Sequence, residues 1–257
     1  MRHIPMNTFQ NNNEIKLELK ELYKAFEDTP VLEGISLQLK NKEFISILGP
    51  SGSGKSTIFN IISGLLKPDR GEVAIEGENH TGKTGRVSYM YQKDLLLPWR
   101  KVIDNASLPL IVKGMEKQQA RETVAPFFKV FGLEGFEHKY PFQLSGGMRQ
   151  RAALLRTYMF SKDIMLLDEP FGGLDAITRA KMQQWLLDVL QQLEASILFI
   201  THDIEEAIYL SDRVYILSER PAAVKKEIVI DLERPRGREI LTSREFIDLK
   251  AEILSLL

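Results

Sequence analysis

The chain has 257 residues, no cysteine, 34 Lys and Arg against 35 Asp and Glu, and a formal net charge of -1. Disulfides and thiolate metal sites are excluded, and so even a charge balance argues against a generic polyanion binder, which carries a basic excess. With 44% hydrophobic and 27% charged residues, this is an ordinary globular composition. It is long enough for one large α/β domain or for a domain carrying an inserted lobe.

Residues 1–13, MRHIPMNTFQNNN, lack the apolar centre of a secretory signal and read as a flexible lead. No stretch approaches the ~20 apolar residues that a bilayer helix needs, so a membrane role would run through a partner. Ile15, Leu17 and Leu19 alternate with polar residues, as do Ile35, Leu37 and Leu39. Both patterns predict half-buried strands of an antiparallel layer. FISIL at 44–48 is a short apolar run that flows into Gly49, as a buried strand feeding a loop does. Residues 56–66 read as a helix, and 73–75 and 87–91 as further strands.

The character changes at about residue 95. Val124, Phe127, Phe128 and Phe131 share one helical face, and Pro98, Gly114, Gly132 and Pro141 punctuate the stretch. Strand and helix alternate again from 164–167. Leu186, Val189, Leu190 and Leu193 line one helix, SILFIT at 196–201 is the next strand, and 214–217 and 224–230 close the sheet. Phe246, Leu249, Ile253 and Leu256 mark a short terminal helix. Strands alternating with helices imply right-handed crossovers and a parallel sheet. The organisation expected is a lead at 1–13, a core built from 14–94 and 161–257, and a helical lobe at 95–160.

GPSGSGKST at 49–57 matches the Walker A phosphate loop. Gly49, Gly52 and Gly54 let backbone amides approach phosphate oxygens, while Pro50, Ser51, Ser53 and Thr57 complete the loop and its exit. Lys55 supplies charge to the β and γ phosphates, and the Ser56 hydroxyl is placed for Mg²⁺. A Gly/Ser-rich turn is the plain alternative, but the strand before and the helix-like IFNII after supply the required context. IMLLDEP at 164–170 has the Walker B form, with Asp168 directed at the magnesium and Glu169 at the attacking water. His202 follows the strand SILFIT, whose carboxyl end should lie beside those of the Walker strands.

LSGGMRQR at 144–151 carries the most information. Ser145, Gly146 and Gly147 form a second set of phosphate-facing groups that one fold unit cannot easily bring to its own nucleotide, whereas two copies head to tail could. A simple helix N-cap followed by turn glycines accounts for the same residues. Taken with the Walker stretches, this segment resembles the ATPase subunits of ABC transporters, and the resemblance spans nearly the whole chain. It implies an α/β fold: a P-loop NTPase core with a mixed, largely parallel sheet, an N-terminal antiparallel β layer and an inserted helical subdomain. The implied cofactors are ATP and Mg²⁺.

By the same resemblance, Gln92 is the Q-loop glutamine reaching metal and water, Asp175 in FGGLDA is the D-loop aspartate, and His202 in THDIEEA is the switch histidine. Lys55, Gln92, Glu169 and His202 are then the catalytic set, and Ser56, Gln92 and Asp168 the metal set. Matching LYKAFEDTPVL to the family favours Phe26 as the ring under the adenine, with Tyr23 as the alternative and core packing open to either. Met148 stands where many members have Gln, and GGLD replaces the usual SALD or GALD. LLLPWRKVIDNASLPL at 95–110 and the RPR stretch at 234–236 resemble the nitrate/sulfonate/taurine group of bacterial importers. The implied partners are a second copy of the chain, membrane permease subunits and, indirectly, a solute-binding protein, with no nucleic acid. The implied place is the cytoplasmic face of the membrane, held peripherally. Two other readings exist: a soluble ABC-type ATPase acting on nucleic acid or ribosomes, and a P-loop phosphotransferase in which LSGG is accidental.

Overall fold

The computed structural model describes residues 14–190 and 192–257, so the lead expected at 1–13 lies outside the described residues. Strands β1 (Ile15–Phe26) and β2 (Thr29–Lys40) form a long hairpin. Leu17 faces Leu39, Leu19 faces Leu37 and Leu22 faces Ile35 across the pair, all six buried. These cross-strand contacts turn the alternating pattern into one apolar face. Strands β4 (Arg70–Ile75) and β5 (Glu78–Asn79) extend this antiparallel sheet in the order β2-β1-β4-β5.

The second sheet holds β3 (Phe44–Leu48), β6 (Ser88–Met90), β7 (Ile164–Asp168), β8 (Ser196–Thr201), β9 (Arg213–Leu217) and β10 (Val224–Val229), in the order β10-β9-β3-β8-β7-β6. Every pairing is parallel except β10 with β9. Every residue of β3, β7, β8 and β9 is buried, as a parallel sheet covered on both faces requires. On one face Ile45 and Ile47 pack with the antiparallel sheet and helix α1 (Lys55–Ile62); on the other, Phe44 and Leu48 join the remaining helices.

Between β6 and β7 run α2 (Val102–Val112), α3 (Lys117–Val130) and α4 (Gly146–Phe160). Val124, Phe128 and Phe131 are buried, with Phe127 packed partly against them. Residues 91–101 are not helical. The buried Asn105 carboxamide accepts from Leu97 N at 2.7 Å and donates to the carbonyls of Leu97, Arg100 and Lys101. That side chain takes over backbone groups a helix would have used. After β7 come α5 (Ala176–Leu190), α6 (Ile204–Leu210) and α7 (Arg244–Leu256), the last burying Phe246 and Ile253.

Candidate nucleotide-binding site

Sheet order brings β3, β8 and β7 side by side, so Gly49, Thr201–His202 and Asp168–Glu169 emerge from neighbouring carboxyl ends. Gly54 caps α1 at φ 104°. A Cβ there would lie 2.9 Å from both Leu32 Cδ2 and Val31 Cγ1, so glycine is needed both for the turn and for close packing. Lys55 is buried and donates through Nζ to Gly49 O at 2.8 Å and Pro50 O at 2.7 Å. Burial pulls its ammonium below the ordinary lysine value, opposed by the carboxylates of Glu169 and Asp168. A buried cation bonded only to neutral oxygens, at a helix N-terminus, fits a phosphate anion.

Asp168 is buried, and burial raises its carboxyl above the usual aspartate value; hydrogen bonds from Ser56 and Tyr89 work against that rise. Tyr89 Oη donates to Asp168 Oδ2 at 3.2 Å. A hydroxyl and a carboxylate side by side suit Mg²⁺, which keeps waters and phosphate oxygens for its other positions. Among the described residues no three His, Cys, Asp or Glu side chains gather into a metal cage. The fit is therefore to a cation shared with phosphate.

Glu169 sits at φ 44°, a left-handed conformation that costs a non-glycine residue about 1 kcal/mol. Its amide donates to Ile200 O on β8, which holds the bend in place. The bend aims its carboxylate at two partners: Gln92 Nε2 donates to Oε2 at 3.0 Å, and His202 Nδ1 lies 3.2 Å from Oε1. Three residues far apart in sequence thus meet at one carboxylate. Gln92 and His202 are themselves exposed, leaving the carboxylate open to solvent on one side.

Ser145 is the N-cap of α4 and is exposed; its Oγ accepts from Met148 N at 3.3 Å. The helix end faces outward, while Gly147 is buried where a Cβ would touch Thr178 Cγ2 and Met182 Sδ. Asp175 is exposed and accepts from Thr178 N at 3.0 Å, capping α5. The hydrogen bonds from Thr178 hold its carboxyl below the usual range. Gly173, at φ 84° with open space around its Cβ position, lets the turn before α5 bend outward.

The two aromatic candidates differ. Tyr23 is half-buried beneath the Arg70 guanidinium, 4.2 Å from its ring centre, whereas Phe26 is 47% exposed with Lys24 Nζ 5.6 Å from its ring. Phe26 is the more exposed of the two rings.

Sequence reasoning did not single out Arg156, Arg179 or Glu206. Arg156 on α4 donates to Asp94 O at 2.6 Å and Leu95 O at 2.7 Å, tying the loop after Gln92 to the helix that Ser145 caps. Glu206 is a buried carboxylate inside an apolar helix, and IEEAIYL carries the one available signal: an acid where the periodicity asks for an apolar residue.

The sequence pattern described as ABC transporter matches residues 32–172 of the chain. The chain belongs to the ABC transporter family. It is 41% identical over 244 residues to the formylaminopyrimidine import ATP-binding protein ThiZ of Halalkalibacterium halodurans, spanning 94% of this chain and 96% of that one. It is 38% identical over 244 residues to the taurine import ATP-binding protein TauB of Escherichia coli O157:H7, at 93% and 96% coverage. Among solved structures, the dimeric structure of MJ0796, a bacterial ABC transporter cassette, superposes with a TM-score of 0.71 at 32% identity, covering 86% of this chain and 99% of that one. The fold expected from sequence, a P-loop NTPase with a mixed sheet and an antiparallel layer, is the fold observed. As an ABC family ATPase, the chain hydrolyses ATP.

Proposed function

We propose that this ABC ATPase powers a bacterial importer of the nitrate, sulfonate and taurine type, from the cytoplasmic face of the membrane. Relatives with import functions at about two-fifths identity over most of the chain support that reading, as does the absence, among the described residues, of any helix long and apolar enough to span a bilayer. Permease subunits are the membrane partner, with a solute-binding protein acting through them. The exposed Leu95 and Trp99, in the loop that Arg156 ties to α4, form the apolar surface for the permease. In this reading residues 14–94 and 161–257 make the catalytic core and 95–160 the lobe that moves against it.

Two copies lie head to tail. The loop at 49–57 binds the phosphates of ATP, with Lys55 donating to them and Phe26 stacking on the adenine. Ser56 and Asp168, with Gln92, hold Mg²⁺, which when bound screens phosphate charge. Ser145, Gly146 and Gly147 of the second copy close the site, and Asp175 borders it. Glu169 orients the attacking water and receives its proton, while His202 supports developing charge on the γ-phosphate. Orientation of the water carries much of the work.

The observation behind this assignment is the single carboxylate bridged by Gln92 and His202 beside the buried Asp168 and its Ser56 partner. Glu169→Gln keeps the side chain's shape and removes its charge. The variant should bind ATP within about threefold of the parent and turn over at least ~100-fold more slowly. Steady-state hydrolysis together with equilibrium ATP binding checks this. Turnover near the parent rate would remove Glu169 from its role.

A further inference from the structure

Glu206 lies in the first turn of α6, 5% exposed, at the junction with α5 and β8. Its carboxylate accepts from the Thr201 hydroxyl and, through Oε1, from Gln183 Nε2 at 3.0 Å. Thr201 immediately precedes His202, and its Oγ1 also accepts from Asp203 N at 3.0 Å. Asp203 in turn receives Glu206 N at 3.1 Å through Oδ1. The turn carrying His202 is thus closed onto Glu206 from both sides.

The other side of the cluster leads to Asp175. Gln183 and Arg179 are on α5, the helix that Asp175 caps. Arg179 Nη2 donates to Leu174 O at 3.0 Å, while its buried Nε has no hydrogen-bond partner among the described residues. The Arg179 charge also acts on Glu206. Helix α5 therefore carries both links: Arg179 bonds Leu174 at the turn before the helix, and one turn further on Gln183 bonds Glu206, which bonds Thr201, the residue before His202.

Apolar helix contacts tolerate small sliding, because dispersion and burial are weakly directional. Buried hydrogen bonds to a carboxylate are directional, and breaking one without a replacement leaves a desolvated polar group. Burial raises the Glu206 carboxyl above its ordinary value, and the bonds from Thr201 and Gln183 oppose the rise. Retaining an acid at that cost fits a fixed register between α5 and the turn at 201–203.

We propose that Glu206 is a positioning residue that locks the 171–175 turn to His202, so that a shift of that turn against a second copy resets the histidine in the same subunit. The inference rests on the proposed roles of His202 and of the head-to-tail pair.

The test uses the full chain, four single variants and one double variant. Glu206→Leu conserves much of the volume but takes the acceptor from Thr201 and Gln183, so its melting temperature should fall by a few degrees while the chain still folds. Its kcat should fall about tenfold with the KM for ATP within about twofold, and its Hill coefficient for ATP should drop towards 1. Glu206→Gln can still accept from Thr201, and flipping the Gln183 amide pairs its other end, so turnover should stay within about threefold of the parent. Gln183→Ala, on the α5 side, should lower kcat in the same direction and add nothing to Glu206→Leu. A Glu206→Leu variant with parental kcat and Hill coefficient overturns the proposal, as does a Glu206→Gln variant that keeps both hydrogen bonds yet loses as much kcat as Glu206→Leu. His202→Ala separates the two levels: parental turnover there defeats the site reading itself, whereas a dead His202→Ala beside a parental Glu206→Leu defeats only the link.

Discussion

Asp168 sets folding against binding within one side chain. Its carboxyl is buried and its pKa raised, first by desolvation, with Ser56 and Tyr89 only partly compensating. An unfolded Asp titrates near ~3.9, so between that value and the higher folded value the folded chain holds a proton that the unfolded chain has lost. Stability from this group is therefore present at low pH and is lost as pH rises through the folded value. Asp168→Asn should melt at a higher temperature than the parent at pH 7 without nucleotide, and the gap should narrow as pH falls towards about 4. Ser56 and Tyr89 can each accept from the new amide. The same variant should lose magnesium-dependent turnover. A lower melting temperature at pH 7 would contradict the burial argument.

At the scale of elements, a buried cation ties the end of α6 to the chain leaving β10. Arg236 is 3% exposed and donates to the carbonyls of Ile208, Tyr209 and Ser211 through Nη1, and to Ile230 and Leu232 through Nη2. Burial pulls its guanidinium down to about 10, still charged at neutral pH. It closes the C-terminal end of α6, where carbonyls lack intrahelical partners and positive charge is favoured. Arg236→Ala orphans several buried carbonyls and should cost at least ~3 kcal/mol, which in a domain of this size lowers the melting temperature by about 6–12 °C. A change under about 2 °C would show that solvent replaces the guanidinium.

Arg236 also marks the limit of what the sequence reveals. Local patterns were enough to place the hairpin, the strand feeding Gly49, the apolar strand before Asp168 and the terminal helix, because each depends on alternation or on runs of apolar residues. Phosphate-loop chemistry is legible for the same reason, being contiguous. The meeting of Gln92, Glu169 and His202 depends on sheet order, and the non-helical 91–101 segment on one buried Asn105 carboxamide. Arg236 stood out only as part of RPR, and Glu206 only as an acid in an apolar helix. Burial is a tertiary fact, and neither residue's neighbours in sequence announce it.

For the whole molecule, the outward-facing Ser145 cap and the phosphate loop are both exposed at their tips, with Ser51, Gly52 and Ser56 open to solvent. In the proposed head-to-tail pair such a subunit presents half of a site on each of two surfaces, and a second copy in reverse orientation completes both. Closure should depend on nucleotide, because the bound phosphates supply the negative charge that meets the α4 N-terminus. Light scattering of Glu169→Gln with and without Mg-ATP is the most direct measurement. The account predicts twice the monomer mass only with nucleotide, and monomer mass with ATP still bound once Ser145→Arg is added. A dimer that survives Ser145→Arg, or loss of ATP binding in step with loss of the dimer, would contradict it.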